Sequence, residues 1–304
     1  MNKEKLSEYE LTTSVHTFTV RSDAPPNIPD DMDVEIIRTT YQPKSGNWLT
    51  RVNPNKLGYG DLFAYKGGFT PVVRDLFNDL GIPGSTYYRV DLRLDSYKDT
   101  FKPYYKLNLL LVSLFAELLR DPNRQAIAHL LTQSKELTDV STKNQYYEVK
   151  YYDKKYQKND TDPTKARLEF RCLKSMRTTG LPPHEFKDEL FRRLDGLPEH
   201  FEVLKQKCNK QLYAAYLKHC EYAGKTRVKA DCATEFLSHY NIGLTIFDKR
   251  QLEQFFEMCD VTGARIKYRT DYVTQKCKME FISKSELWAY IAKLKQTIQK
   301  FFSQ

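Results

Sequence analysis

The chain has 304 residues, of which 40% are hydrophobic and 29% charged. That balance excludes a disordered chain and allows one large domain or two ordinary ones. The net charge of +9 favours a polyanionic partner, of which nucleic acid is the commonest, and charge alone does not tell it from an acidic membrane surface. The most apolar stretch, residues 107–119, is one helix long and carries Glu117, so it is too short to span a bilayer. The start, MNKEKLSEYE, is charged with no apolar run close behind it, and a cytoplasmic chain without membrane attachment is expected. The six cysteines form no CxxC pair and read as reduced thiols. Cys220 with His219 and His239 lacks the spacing of a zinc module.

Taken in chain order, residues 14–22 (SVHTFTVRS) alternate and predict a strand that ends before Pro25-Pro26, and 33–41 predict a second strand. The glycines of 57–70 are irregular, lack a GKS or GKT, and read as hairpin turns rather than a phosphate loop. A helix is predicted over 71–80, closed by Pro83-Gly84, followed by a strand over 86–95 (TYYRVDLRLD). Helices at 104–120 and 123–136 come next, then a strand at 144–152 (NQYYEVKYY), a polar loop at 153–164 and a strand at 165–172 (KARLEFRC). Beyond Gly180 the pattern is helical to 259. Alternation in 263–282 predicts a hairpin, and 284–302 an amphipathic helix capped by Ser283. The expected fold class is α+β, with an antiparallel-sheet domain over 1–180 and a mainly helical region over 181–304.

Side-chain parity sorts three of the strands. Asp91, Arg93 and Asp95 share one face, opposite Val90, Leu92 and Leu94. Arg167, Glu169 and Arg171 oppose Leu168, Phe170 and Cys172. Glu148, Lys150 and Tyr152 oppose Tyr147, Val149 and Tyr151. The ordinary reading is a sheet with one face on the core and one in water, laced with cross-strand ion pairs. If the three strands are neighbours, the same parity gathers Asp91, Asp95, Glu148, Glu169 and Tyr152 on one surface. Carboxylates of that kind suit a hard cation, and a tyrosine beside them suits attack on phosphorus.

These strands resemble the motifs of rolling-circle replication initiators, both the plasmid initiators that act through a single tyrosine and the filamentous-phage nickase encoded by gene II. Residues 89–95 (RVDLRLD) are similar to their R-[VIL]-D-x-x-x-D strand. Residues 149–155 (VKYYDKK) are similar to the strand that ends in Tyr-[Asn/Asp]-Lys-Lys and bears the nucleophile. Residues 167–171 (RLEFR) are similar to their R-[VLF]-E-x-[RK] strand. Leu173-Lys174-Ser175 and Gly180-Leu181-Pro182 are similar to the residues C-terminal to that strand in the phage group. The resemblance covers about residues 86–183, and Ala166 stands where the plasmid group often has an aromatic.

The resemblance implies a nicking and joining endonuclease domain in 1–180. Tyr152 would attack a scissile phosphate polarised by a divalent metal, Mg²⁺ or Mn²⁺, on Glu169 and Asp91 or Asp95, giving a 5′-phosphotyrosine and a 3′-OH primer. Lys150, Lys154 and Lys155 would favour the phenolate. Tyr151 and Tyr156 are rival nucleophiles, with Tyr151 disfavoured by parity. Candidate DNA-binding residues are Arg89, Arg93, Lys155, Arg167 and Arg171 on the motif segments and Lys229, Arg265, Lys267 and Arg269 in the C-terminal part, where the last three would share one face of the predicted hairpin. A helix-turn-helix from 229–241, a turn at Gly243 and 249–258 is one reading of the origin reader, and a plain helical hairpin is the other. The implied partners are origin DNA, duplex and single-stranded, with a host helicase and a second copy of the chain as further candidates. A non-catalytic DNA-binding repressor, and a relaxase or transposase of similar chemistry, are the competing classes.

Overall fold

In the computed structural model the described residues are 11–30, 32–33, 36–54, 56, 69–96, 101–120, 139–153, 166–172, 183–222, 230–239, 246–279 and 281–303. Strands are β1 (Leu11–Ser22), β2 (Ile37–Gln42), β3 (Asn47–Val52), β4 (Thr86–Ser96), β5 (Asp139–Lys143), β6 (Tyr147–Asp153) and β7 (Ala166–Cys172). Helices are α1 (Phe69–Asp79), α2 (Phe101–Leu119), α3 (Pro183–Gly196), α4 (Phe201–Tyr222), α5 (Ala230–His239), α6 (Lys249–Met258), α7 (Ala264–Lys276) and α8 (Lys284–Ser303), with a 3₁₀ turn at Leu197–His200. The α+β class holds. Among the described residues no helix is long and apolar enough to cross a membrane. The predicted helix at 123–136 and most of the Gly-rich segment lie outside the described residues.

The strands form one antiparallel sheet in the order β2-β3-β1-β4-β7-β6-β5. The three motif strands β4, β7 and β6 are adjacent, which is the condition the parity argument needs. Their apolar side chains pair directly across the sheet: Leu92 faces Phe170, which faces Val149, while Leu94 faces Leu168 and then Tyr151. All six are buried. Phe77 of α1 packs on Phe18 of that same apolar face, with ring centroids 6.1 Å apart. Each such fully buried side chain contributes roughly 1.5–3 kcal/mol. α1 ends because Gly81 turns left-handed, at φ +68°. The Ile82 N–H then donates to Phe77 O at 2.9 Å and the Gly81 N–H to Asn78 O at 3.0 Å, satisfying the last carbonyls.

The described residues fall into two compact units, each assembled from separate stretches. A sheet unit lies within Glu8–Phe101, Lys143–Asp195 and Ile291–Gln304, and a helical unit within Lys102–Thr142 and Gly196–Tyr290. The chain thus passes between the units more than once. The reason lies in α2: Leu107, Leu109, Leu110, Leu111, Val112, Leu114 and Phe115 are buried all round the helix. Such a helix needs helical neighbours on several sides. Within the helical unit Lys106 Nζ donates to Ile246 O at 2.8 Å, and the Tyr290 hydroxyl donates to Asn108 Oδ1 at 2.5 Å.

The hairpin expected over 263–282 is corrected to helix α7. The basic residues 265, 267 and 269 alternate, but the inward residues Ile266, Thr270, Val273 and Cys277 fall at i, i+4, i+7 and i+11, which is helical spacing. Arg265 and Arg269 therefore share a helix face, and Lys267 does not join them on a strand face. The predicted cap of α8 is present as a capping box. The Glu286 N–H donates to Ser283 Oγ at 3.2 Å, and the Ser283 N–H donates to Glu286 Oε2 at 2.7 Å.

Candidate active site

The second face of the sheet carries three polar rows. Register places Thr17 opposite Asp91, Asp91 opposite Arg171, and Arg171 opposite Glu148. The next row is Ser14, Arg93, Glu169 and Lys150, and the third is Thr12, Asp95, Arg167 and Tyr152. Contrary to the expectation of a wet face, these groups are largely buried. Glu169 is 0% exposed, Asp91 1%, Asp95 2%, Arg167 3% and Tyr152 6%. Ionised groups at such depth must be paired, and they are.

Each carboxylate has its own partners. The Tyr152 hydroxyl donates to Glu169 Oε1 at 2.8 Å, and Arg171 donates to Glu169 Oε2. Arg167 holds Asp95 through both oxygens, at 2.6 and 2.9 Å, and its Nη1 lies 3.5 Å from the Tyr152 hydroxyl. Arg93 Nε sits 3.3 Å from Asp95 Oδ2 and donates to Ser14 Oγ. Asp91 accepts from Arg89 at 2.8 Å on each oxygen and from the Thr17 hydroxyl at 2.6 Å. Glu148 accepts from Arg171 at 3.1 Å.

Burial opposes ionisation of Glu169, yet Arg171 and the Tyr152 hydroxyl outweigh it and hold the carboxyl below its ordinary value. At His16 burial dominates and lowers the imidazole, against the pull of Glu169, so the ring is neutral near pH 7. Tyr152 moves opposite to the expectation from its lysines. Burial, then the Glu169 charge, raises its phenol well above the usual tyrosine range, and Arg167 only partly offsets this. Lys150 lies over the ring of Tyr152, 5.0 Å from its centroid, so its charge meets the π-face. Lys154 and Lys155 lie outside the described residues, as do Lys229 and Tyr156. Tyr151 is on the apolar face, 2% exposed.

Two features have no signal in the sequence pattern. One is His16, which along the chain is one of several scattered histidines. β1 slips register between Val15, which faces Leu92, and Thr17, which faces Asp91. His16 is the extra residue of this bulge, and its Nδ1 comes within 3.5 Å of Glu169 Oε1. The other is a second polar row across the far strands: Arg38 faces Arg51, Arg51 faces Thr19, and Thr19 faces Arg89. Because paired residues project to the same side, this row lies on the face that carries Tyr152. Like charges directly opposite each other cost stability unless an anion lies between them.

Among the described residues no three His, Cys, Asp or Glu side chains converge as a metal-binding group. Asp91 and Asp95 have their oxygens taken by guanidinium groups. Glu169 also has both oxygens in hydrogen bonds, with Tyr152 and Arg171, so a divalent cation held by Glu169 and the neighbouring His16 Nδ1, 3.5 Å from Oε1, would have to displace one of those bonds. Of the expected DNA contacts, Arg167 is buried against Asp95, whereas Arg89, Arg93 and Arg171 are half-buried beside the carboxylates. No protein-family model, no curated protein and no solved structure gives a significant match to the chain.

Proposed function

We propose that the chain is a replication initiator whose sheet unit nicks one DNA strand through Tyr152. The observation that carries this reading is the 2.8 Å hydrogen bond from the Tyr152 hydroxyl to Glu169, with Arg167 Nη1 at 3.5 Å on the same oxygen. A tyrosine held protonated is a poor nucleophile until a base accepts its proton. Glu169 is ionised at neutral pH and already holds that proton in a hydrogen bond. As the phenol oxygen bonds to phosphorus, the proton passes to Glu169 Oε1. The P–O3′ bond breaks, and the proton is then available to the departing 3′ oxygen. The products are a 5′-phosphotyrosine and a 3′-OH. Arg167 steadies the charge that develops on the phenol oxygen. A divalent cation held by Glu169 and His16 would supply neutralisation of the scissile phosphate. The row Arg38, Arg51 and Arg89 would lead the single strand to this point.

The test is nicking of supercoiled origin DNA by the full chain, with detection of the covalent adduct. Adduct formation by the native chain and its loss in Tyr152→Phe support the reading; an unaltered adduct in Tyr152→Phe refutes it. A second reading has one observation in its favour. Each carboxylate of the polar rows already has an arginine partner, as in a buried ion-pair lattice that holds the sheet of a non-catalytic DNA-binding protein. Absence of nicking by the native chain, with duplex binding intact, would select it.

A further inference from the structure

The helical unit carries a surface that the Tyr152 chemistry does not use. α6 stops in a well-formed turn. Asp260 adopts a left-handed conformation at φ +59°, its N–H donates to Glu257 O at 3.2 Å, and the Val261 N–H donates to Phe256 O at 3.1 Å. Val261 is buried in the core that α6 shares with α5. Two residues later Gly263, at φ +60°, starts α7. The connection, 259–263, is near the length of the turn that joins two helices at a steep angle. Ile266, Val273 and Cys277 of α7 join the core that holds Phe236 and Leu237 of α5 and Leu252, Phe255 and Phe256 of α6, and Thr270 is buried on the same side of the helix. A second turn of the same kind closes α7, with Lys278 at φ +47° and the Met279 N–H donating to Thr274 O at 3.0 Å.

The outer side of α7 is basic and aromatic. Tyr268 is 66% exposed and Tyr272 42%. Arg265, Lys267 and Lys276 are exposed beside them, and neither Arg265 nor Lys267 has a carboxylate partner among the described residues. Residues 264–278 hold five cations (Arg265, Lys267, Arg269, Lys276, Lys278) against Asp271 alone, and Asp271 is taken by Lys249 at 2.7 Å. Lys276 lies over the Tyr272 ring, 5.6 Å from its centroid. The charge on this helix matches a polyanion, and a single exposed helix fits the width of a DNA major groove.

We propose that α5, α6 and α7 form a helix-turn-helix in which α7 is the recognition helix and enters the major groove of duplex DNA. Tyr268 leads the first turns of α7 into the groove with Arg265 and Lys267 flanking it on either side, and Lys276 and Lys278 at its far end meet the phosphate backbone. This differs from pairing α5 with α6 as the motif, because the short closed turn joins α6 to α7. The proposal rests on reading the chain as a DNA protein but is independent of Tyr152.

The test uses the full chain, a short labelled duplex of mixed sequence, the corresponding single strand, and an RNA strand of the same sequence. Arg265→Glu with Lys267→Glu is expected to weaken duplex binding by about tenfold or more, and to flatten the log–log salt dependence by about 2, roughly 0.9 per lost contact. Lys210→Glu, an equal change of charge per site on exposed α4 surface, is expected to leave duplex binding within about twofold. The milder Arg265→Gln with Lys267→Gln should show the same direction if the charge reversal disturbs folding. Native protein should protect guanine N7, a major-groove atom, from dimethyl sulfate, and the double variant should not. Duplex affinity unchanged in both double variants, an equal loss in Lys210→Glu, native binding confined to single-stranded DNA or RNA, or unprotected N7 would each overturn the proposal. Absence of nicking with the duplex results as expected would strike only the tyrosine reading.

Discussion

The Asp95–Arg167 pair is the sharpest test of the buried polar face. Both side chains are 3% exposed and joined by two hydrogen bonds at 2.6 and 2.9 Å. Asp95→Asn removes one charge and leaves the Arg167 guanidinium at depth without its bidentate partner. Breaking a buried pair in this way costs about 3–5 kcal/mol, most of it the desolvated charge left behind. Replacing both, Asp95→Leu with Arg167→Met, removes that charge and should recover most of the loss. The chain has two tryptophans, Trp48 in β3 of the sheet unit and Trp288 in the part of α8 that belongs to the helical unit. In a Trp288→Phe background, urea unfolding followed by Trp48 fluorescence reports the sheet unit alone. A loss below about 1 kcal/mol in Asp95→Asn, the value of an exposed pair, would refute the buried-pair reasoning. The stable double variant then separates structure from chemistry. It should lose nicking, because Arg167 no longer faces the Tyr152 hydroxyl; full activity would confine Arg167 to a structural role.

Tyr152→Phe should abolish the covalent adduct, measured on gels, and leave duplex binding within about twofold, while Tyr151→Phe should keep the adduct. Glu169→Gln should slow nicking by roughly 10²–10⁴ as its proton acceptor is lost. The Glu169 carboxyl is held below its ordinary 4.5. Its stabilising contribution is therefore present above about pH 4.5 and lost as pH falls through the lower folded value, and nicking followed against pH should show no acid limb from this group above about 4.5. Removing divalent cations with a chelator should stop nicking without lowering duplex affinity, and undiminished nicking would refute the Glu169–His16 cation site. Arg38→Ala should leave sheet stability unchanged or raise it by a few tenths of a kcal/mol, since it relieves the facing charge of Arg51. The same substitution should weaken single-strand binding in titrations, and a fall in stability with unchanged binding would contradict the proposed strand path.

Much of the site is legible in the sequence because strand parity is a local property. One residue decides which face the next occupies, so TYYRVDLRLD, YEVKYYD and ARLEFRC sort their own side chains without reference to any partner strand. β-Bulges are not legible this way. The slip between Val15 and Thr17 is a pairing event between β1 and β4, and nothing in SVHTFTVRS marks His16 as the extra residue. β3 carries little signal because NWLTRV is short and holds no strict alternation, and its identity comes from pairing on both sides, with β2 and β1. The difference at α7 has the opposite origin. Alternating cations imitate a strand face, while the weaker signal of the inward positions 266, 270, 273 and 277, three apolar and one threonine, carries the true period.

Parity also says which residues share a face without saying whether that face is wet. The burial of Glu169 and Arg167 is a tertiary fact, and it reverses the electrostatics expected for Tyr152. On an open surface the lysines beside Tyr152 would lower its pKa. At 6% exposure and against an ionised carboxylate, the hydroxyl keeps its proton. On the proposed reading the hydroxyl becomes a nucleophile only as Glu169 takes its proton. On that reading attack is coupled to substrate arrival: a scissile phosphate that draws Arg171 from Glu169 Oε2 leaves that carboxylate a stronger base toward the Tyr152 proton.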